Sequence, residues 1–487
     1  MKSSEGRAAM AGKIFAGERV RQLRQQRGMA LSALAQASQL SMSYLSQIEN
    51  NQRPLSTAAL AAISAVFGVE PRHFADDSDL RLGSELREVL GDPLFADDAS
   101  SLSAISDAVR AAPGIAGQFI KLYRAYQHLM EEGARHRLDQ DLEMETGGTA
   151  PFPYDDVRDF VQSKRNHFAS LDVAAETLFE SQGFTATRLL EDLIDYLRDR
   201  HGITCAVSAA LGGEGVLWRY DPALRQLHLA ESAPRESRAF FLAQQIGRMQ
   251  FAPLIEEEVR KAPLSSPEAR GLAYTGLANY FAGALILPYG RFLTQARAVR
   301  HDIERLQHHF GTSFEQVCHR LSTMQRPGNA GIPFYFLKVD RAGNIFKRSS
   351  ATRFQFARFG GACPLWNVHE AFAQPGRILV QVARTPDGIT YLCIARTVTM
   401  TGGGYLSRPR EAALGLGCEI THAGDLVYSA GLDLQNQETA VPIGSSCKVC
   451  DRDDCRHRAF PSIGRGLAIA GHERHVVPFS MTPGGVK

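Results

Sequence analysis

Apolar positions recur in short helical blocks between residues 13 and 75: Ile14, Val20 and Leu23, then Leu31, Leu34 and Ala35, then Tyr44, Leu45 and Ile48, then Leu60, Ile63 and Val66. Blocks this short, with turns between them, predict a compact all-α domain. Asp76, Asp77 and Asp79 mark its exit, and the helical period continues from 76 to 150 through Leu102, Ile105, Val109, Phe119, Leu122, Tyr126 and Leu129. That stretch predicts a helical connector or dimerisation region. Gly147, Gly148, Pro151 and Pro153, within Glu145–Pro153, predict a linker.

From 151 to 325 the pattern mixes periods. Val157–Asp199 is helical, strand-like runs follow at Ile203–Ala209, Val216–Tyr220 and Gln226–Ala230, and two longer helices are expected near Ser237–Phe251 and Gly271–Leu287. Residues 326–487 are rich in short strands, at Phe334–Val339, Ile378–Ala383, Tyr391–Thr399 and Gly417–Ile420, and predict an α+β or mostly β domain. At 487 residues the chain exceeds a single core, so the expected architecture is multidomain, α plus α+β.

Composition narrows this picture. With 44% hydrophobic and 22% charged residues, the chain reads as globular rather than disordered. The longest apolar stretch, around Tyr280–Pro288, is far shorter than the roughly 18 residues of a spanning helix. The first residues also lack a signal-type apolar segment, so a cytoplasmic protein without membrane association is expected. Net charge is only +2, which argues against a general polycation. Between Lys13 and Ser56, however, Lys13, Arg19, Arg21, Arg24, Arg27 and Arg53 face only Glu18 and Glu49, a local excess suited to phosphate.

The segment Leu31–Glu49 has the spacing of two short helices crossing steeply, closed by Leu34, Ala35, Leu40, Leu45 and Ile48. Ser41 is placed to cap the second helix, which leaves Met42, Ser43, Ser46 and Gln47 facing a DNA groove. A Gln there matches the paired donor and acceptor of adenine, while Asn51, Gln52 and Arg53 in the next loop are placed for phosphate oxygens. The run Leu34-Ala35, Ser41, Ser43-Tyr-Leu-Ser-Gln-Ile-Glu49 and Arg53 resembles the phage-repressor and xenobiotic-response-element type of helix-turn-helix, with double-stranded operator DNA as the implied partner. It departs from that type at Gln39, where Gly is usual, and at Ala30, where Ser or Thr is usual.

Further along, Phe240–Met249 followed by Leu277–Pro288 resembles the zinc-metallopeptidase domain of radiation-response and phage-immunity regulators. That family carries His-Glu-x-x-His on its first helix, two imidazoles for zinc with a Glu as general base. Here Gln244, Gln245 and Arg248 occupy those positions, and Leu277 stands where an acidic ligand is expected. Amides, a guanidinium and an aliphatic chain do not polarise a zinc-bound water, so a zincin-like α+β domain without zinc ligands and without peptidase activity is expected. A helical pocket freed of metal suits a small molecule. The candidate contacts are Gln244 and Arg248, Lys164 and Arg165 on the helix from Val157, and the basic cluster Arg198, Arg200 and His201.

The eight cysteines are unevenly spread. Cys447, Cys450 and Cys455 supply three thiols at close spacing, which in a reducing compartment suggests metal rather than disulfides. Cys363, on a turn made by Gly360, Gly361 and Pro364, is the candidate fourth ligand; Cys205, Cys318, Cys393 and Cys418 sit in apolar runs and read as core. Zinc on four thiolates, or on three with His457 or His369, and an iron–sulfur centre both satisfy the spacing.

The order of these parts, with Ala362-Cys-Pro-x-Trp-Asn-Val-His and Cys447-x-x-Cys-x-x-x-x-Cys-x-x-Arg-Ala-Phe-Pro461, resembles the short-chain fatty-acyl transcriptional regulators, close to their propionate-metabolism branch. The resemblance implies a non-enzymatic, DNA-binding regulator of propionate or acetate metabolism with a short-chain acyl-CoA as effector. It also implies a [4Fe-4S] cluster on Cys363, Cys447, Cys450 and Cys455 in a C-terminal metal-binding domain, and a homodimer or higher homo-oligomer. The rival reading is a metallopeptidase-type anti-repressor, or a phage or toxin–antitoxin regulator, with a structural zinc. The missing His-Glu-x-x-His speaks against the first, and the cysteines are left unexplained by the second.

Overall fold

The computed structural model describes residues 16–50, 53, 55–69, 77–90, 92–95, 102–138, 153–213, 215–354, 356, 362–400, 409–434, 436–450, 452–462, 467–469 and 472–481. Asn51, Gln52 and the linker residues 145–152 lie outside them. The chain forms two compact units, which divide between Tyr123 and Arg124.

The first unit begins with α1 (Gly17–Gln26), α2 (Leu31–Ser38), α3 (Met42–Glu49) and α4 (Thr57–Phe67). Val20, Leu34, Leu45, Ile48, Ile63 and Phe67 are fully buried in one small core, with Ala35 and Leu40 packed at its edge. Helix starts follow the chemistry of the caps: Ser41 accepts from the Tyr44 amide and Ser56 from the Ala59 amide, whereas Ala30 gives α2 no side-chain cap. α5 (Asp77–Leu90), α6 (Leu102–Ala111) and α7 (Pro113–Leu138) follow, with Leu86, Val89, Ile105, Val109, Ile120 and Tyr123 in a second core.

Gln39 ends α2 at φ 57° and ψ 30°, the left-handed region that a Cβ disfavours. Gln39→Gly is therefore expected to stabilise the first unit by about 1 kcal/mol, read as a raised denaturation midpoint. No gain in the midpoint would show that Gln39 makes a compensating contact.

In the second unit α8 (Pro153–Ser163), α9 (Ala169–Ser181) and α10 (Leu189–His201) lead into a three-stranded sheet. β1 (Thr204–Ser208) runs parallel to β3 (Gln226–Ala230), and β2 (Trp218–Asp221) pairs antiparallel with β3 after the short α11 (Ala210–Gly213). The Asp221 carboxylate makes the β2–β3 turn by accepting from the amides of Ala223 and Leu224. Helices α12 (Arg235–Gln250), α13 (Ala252–Arg260), α14 (Pro267–Ile286), α15 (Tyr289–Ala298), α16 (Ile303–Phe310) and α17 (Phe314–Ser322) complete this part. At its centre Asp172 is fully buried, bonded to Arg320 (2.6 Å), Tyr280 (2.7 Å) and His167 (3.0 Å). Burial opposes ionisation of Asp172, but the Arg320 charge and the three hydrogen bonds outweigh it and hold the carboxyl well below its usual range.

A six-stranded sheet follows, ordered β5-β4-β8-β7-β6-β9. Its strands are β4 (Tyr335–Val339), β5 (Ile345–Ser350), β6 (Leu379–Arg384), β7 (Thr390–Met400), β8 (Arg410–Glu419) and β9 (Val441–Pro442), all antiparallel except β6 with β9. Alternate residues on β4, β7 and β8 go to two different cores. Phe336, Leu392, Ile394, Leu414 and Leu416 join the core of the helices, so one continuous core runs from Phe160 to Leu426. Tyr335, Leu337, Tyr391, Cys393 and Ala413 face a second core with Phe354, Cys363 and Trp366. Gly417 is required there, because a Cβ would meet the Tyr335 hydroxyl at 2.5 Å. The short α18 (Asn367–Glu370) covers this face, and β10 (Leu467–Ala468) pairs with β11 (Ser480–Met481) near the end. Among the described residues no helix is long and apolar enough to cross a membrane.

Candidate functional site

Three sets of residues carry the chemistry expected from the sequence. In the first unit, Ser41, Met42 and Ser43 are exposed at the start of α3, and Ser46 and Gln47 are half-buried on the same helix. Glu49, at its end, is buried and takes two bonds from Arg24, at 2.7 and 2.8 Å, which lock α1 against α3. Arg21 binds Asn50 at 2.5 Å and Arg27 binds the Phe67 carbonyl at 2.6 Å. Three of the arginines read from the sequence as a phosphate-seeking excess thus also build the domain. Arg53 is exposed and lies over the Tyr44 ring of α3 at 5.0 Å. The arrangement presents a helix N-terminus, two hydroxyls, an amide and a guanidinium on one side, a surface able to meet a base edge and its flanking phosphate.

In the second unit, α12 and α14 bring Gln244, Gln245 and Leu277 into the interior, each 5% exposed or less. Gln244 donates to the Asn279 side chain at 2.5 Å. Arg248 lies over the rings of Trp218 and Tyr274 and donates to the Thr275 hydroxyl at 3.2 Å, while its buried Nε has no partner. Lys164 and Arg165 are exposed on the turn after α8. Arg198 is held in ion pairs by Asp195 and Asp199, and Arg200 lines a shallow cleft with Asp192, Asp195 and Asp199. The structure thus pairs Gln244 with Arg248 on one helix and Lys164 with Arg165 on one turn. It gathers no single cavity from all six.

The cysteines behave differently. Cys363, Cys447, Cys450 and Cys455 all line one small cavity, partly open to solvent, together with Pro364, Pro442, Gly444, Ser446, Arg452 and Arg458. Two distant segments make it. The Cys363 turn is stapled to the sheet: Asn367 Nδ2 donates to the carbonyls of Leu379 and Cys393, and Gln381 Nε2 to that of Leu365. The second loop is braced by Arg458, itself 8% exposed, which donates to the carbonyls of Cys447 (2.9 Å), Cys450 (2.9 Å), Arg452 (2.6 Å) and Phe460 (3.4 Å). Arg452 ties the loop to the sheet edge through the Arg384 carbonyl at 2.6 Å. Gly444 leaves room beside it, since a Cβ there would lie 2.9 Å from the Cys450 sulfur.

Burial pushes the Cys363 thiol up, backbone amides of Gly444 and Leu365 pull it down, and nearby Cys447 and Cys450 push it up again. Without a cation in the cavity Cys363 is therefore a thiol, and metal binding there releases protons. Among the described residues no three His, Cys, Asp or Glu side chains stand in the geometry of a bound ion. The four cysteines line the same cavity. Cys418 lies in the helical core, on the face of the sheet opposite Cys363, and His457 is exposed. Arg452 and Arg458 were given no role by sequence reasoning, although Arg458 falls inside the quoted Cys-x-x-Arg-Ala-Phe-Pro run.

Comparison with known proteins follows the same three parts. The helix-turn-helix model matches residues 20–74, the IrrE N-terminal-like domain 198–322, and the C-terminal model of the short-chain fatty acyl coenzyme A regulators 323–479. The HTH-type transcriptional regulator RamB of Mycobacterium tuberculosis is 43% identical over 96% of this chain and 98% of its own length. PrpR, an HTH-type transcriptional regulator of the same organism, is 42% identical over 96% of each chain. The propionyl-CoA carboxylase regulator of Cereibacter sphaeroides is 41% identical over 97% of this chain and all of its own. A solved structure, a Mycobacterium tuberculosis transcriptional regulator, superposes with a TM-score of 0.65 at 45% identity, covering 68% of this chain and 100% of that one. With such relatives along nearly its whole length, this protein belongs to the short-chain fatty acyl coenzyme A regulators, a family of helix-turn-helix transcriptional regulators.

Proposed function

We propose that the protein binds operator DNA through α3 and regulates short-chain fatty acid metabolism, of propionate or acetate, in response to a short-chain acyl-CoA. We further propose that it carries a [4Fe-4S] cluster on Cys363, Cys447, Cys450 and Cys455. The observation that carries this reading is the meeting of four thiols from two segments at one cavity, in a chain whose relatives include a propionyl-CoA carboxylase regulator. A cluster bound there supplies one-electron redox chemistry. The chain's part is to present four thiolates from two braced loops.

DNA reading is tested on α3. Gln47→Ala is expected to cost about 1–3 kcal/mol on the specific operator, and Arg53→Ala to weaken all sequences alike and lower the salt slope by about one. Equal losses on operator and random DNA for Gln47→Ala would remove its base-reading role.

The effector is tested by titrating the full chain with propionyl-CoA and acetyl-CoA in a calorimeter. Lys164 and Arg165 are exposed cations with no ion pair among the described residues, whereas Arg198 is already committed to two carboxylates. Lys164→Glu with Arg165→Glu is therefore expected to weaken acyl-CoA binding about tenfold, and Arg198→Ala to change it little. Binding unchanged in the double variant would move the phosphates elsewhere; no heat from either acyl-CoA would remove the effector reading.

A further inference from the structure

Two cationic side chains beside the cysteines, Arg458 buried and Arg452 half-buried, have no anion at ion-pair distance among the described residues. Arg458 is 8% exposed, and both of its terminal nitrogens are spent on backbone carbonyls, which carry no net charge. Arg452 spends one terminal nitrogen on the Arg384 carbonyl. The Nε of each is buried with no hydrogen-bond partner, and both residues line the cysteine cavity. Among the described residues neither has a carboxylate at ion-pair distance. A buried N–H left unmade costs about 1–3 kcal/mol, and a buried charge without a counter-charge costs more. Two unpartnered guanidinium N–H groups at residues lining one cavity call for an acceptor with negative charge within it.

We infer that Arg452 and Arg458 are the counter-ions of the inorganic group on the four cysteines and set its reduction potential by N–H donation toward its sulfurs. The inference rests on the cluster reading above. A four-thiolate cubane carries net negative charge that grows by one on reduction, and hydrogen bonds and positive charge at the sulfurs stabilise the reduced form more than the oxidised one. One electron enters, and no proton or bond change is needed. Arg458 is in addition a positioning residue, because it holds the carbonyls of two of the ligating cysteines.

The full chain, purified without oxygen, is poised with dithionite and mediators while visible absorption reports the oxidised fraction. Arg452→Gln removes one charge and one donor while breaking a single brace, and Arg458→Lys keeps the charge but loses Nε and the planar fork. Each is expected to retain the brown colour and to shift the reduced-to-oxidised ratio at least about tenfold toward oxidised at the wild-type midpoint, a fall of 59 mV for one electron. If Arg458→Lys fails to assemble, Arg452→Gln decides. Full iron with a ratio within about twofold of wild type in Arg452→Gln would overturn the inference and leave the cluster standing. A colourless wild-type protein holding one zinc would instead overturn the cluster reading, and this inference with it.

Discussion

Serine in place of any one of Cys363, Cys447, Cys450 and Cys455 is expected to bleach the anaerobic protein, which otherwise holds roughly four irons and four sulfides and absorbs near ~400 nm. The loss is large because each cysteine supplies one corner of a four-thiolate site. Cys418 lies on the far side of the sheet, in the helical core. Two other thiols serve as controls. Burial pushes Cys205 up to about 11 and Cys393 up to about 12, so both stay protonated, away from the cavity, and Cys205→Ser and Cys393→Ala are expected to keep the colour. Iron analysis with acid-labile sulfide settles the matter. Full iron in Cys363→Ser would transfer the fourth position to His457, and one zinc per colourless chain would replace the cluster by a structural ion.

Arg320→Met is expected to destabilise the second unit by about 3–5 kcal/mol, the cost of leaving a buried carboxylate without its counter-charge. Asp172 has no exposure, and Tyr280 and His167 remain as its hydrogen-bond partners. Urea unfolding of Arg320→Met and of Arg320→Met with Asp172→Asn separates the charge from the packing. The double variant is expected to recover part of the loss, and a double variant no better than the single one would assign the cost to packing alone. The pH dependence has a fixed sign. A carboxyl depressed in the folded state contributes its full stability above its unfolded value, about 3.9, and loses it as pH falls toward the folded value. Wild type is therefore expected to weaken below about pH 4, while Asp172→Asn with Arg320→Met shows a flatter acid limb.

Local chemistry made much of this legible in advance. Ser41 and the spacing of Leu34, Leu45 and Ile48 place α2 and α3 because caps and helical period act within a few residues. The strands around 204–208 and 226–230 and the helices from Arg235 and Pro267 fall where the pattern puts them. β5 escapes notice because Phe346, Lys347 and Arg348 on an edge strand carry no clear alternation, and the first half of β8 because Ala412, Ala413 and Gly415 have weak strand preference. The nearness of Cys363 to the other three cysteines is legible from the quoted motifs. The partnership of Asp172 with Arg320 is not, since 148 positions separate them and only the packed core brings them together. Arg458 shows the same limit at short range: its place in the motif is visible, but its four carbonyl partners exist only once the loop has closed around it.

One core running through α17 into the face of the six-stranded sheet bears on how such chains are inherited. Two recognised family segments abut at residues 322 and 323, as if they were cassettes. Phe334, Phe336, Leu392, Ile394, Leu414 and Leu416 nonetheless belong to the helices as much as to the sheet. A recombination joint at that boundary would strip an entire sheet face of its cover and hand it a foreign surface to match. The helical segment and the cysteine-bearing sheet must therefore change together, each substitution on one constrained by its neighbour on the other.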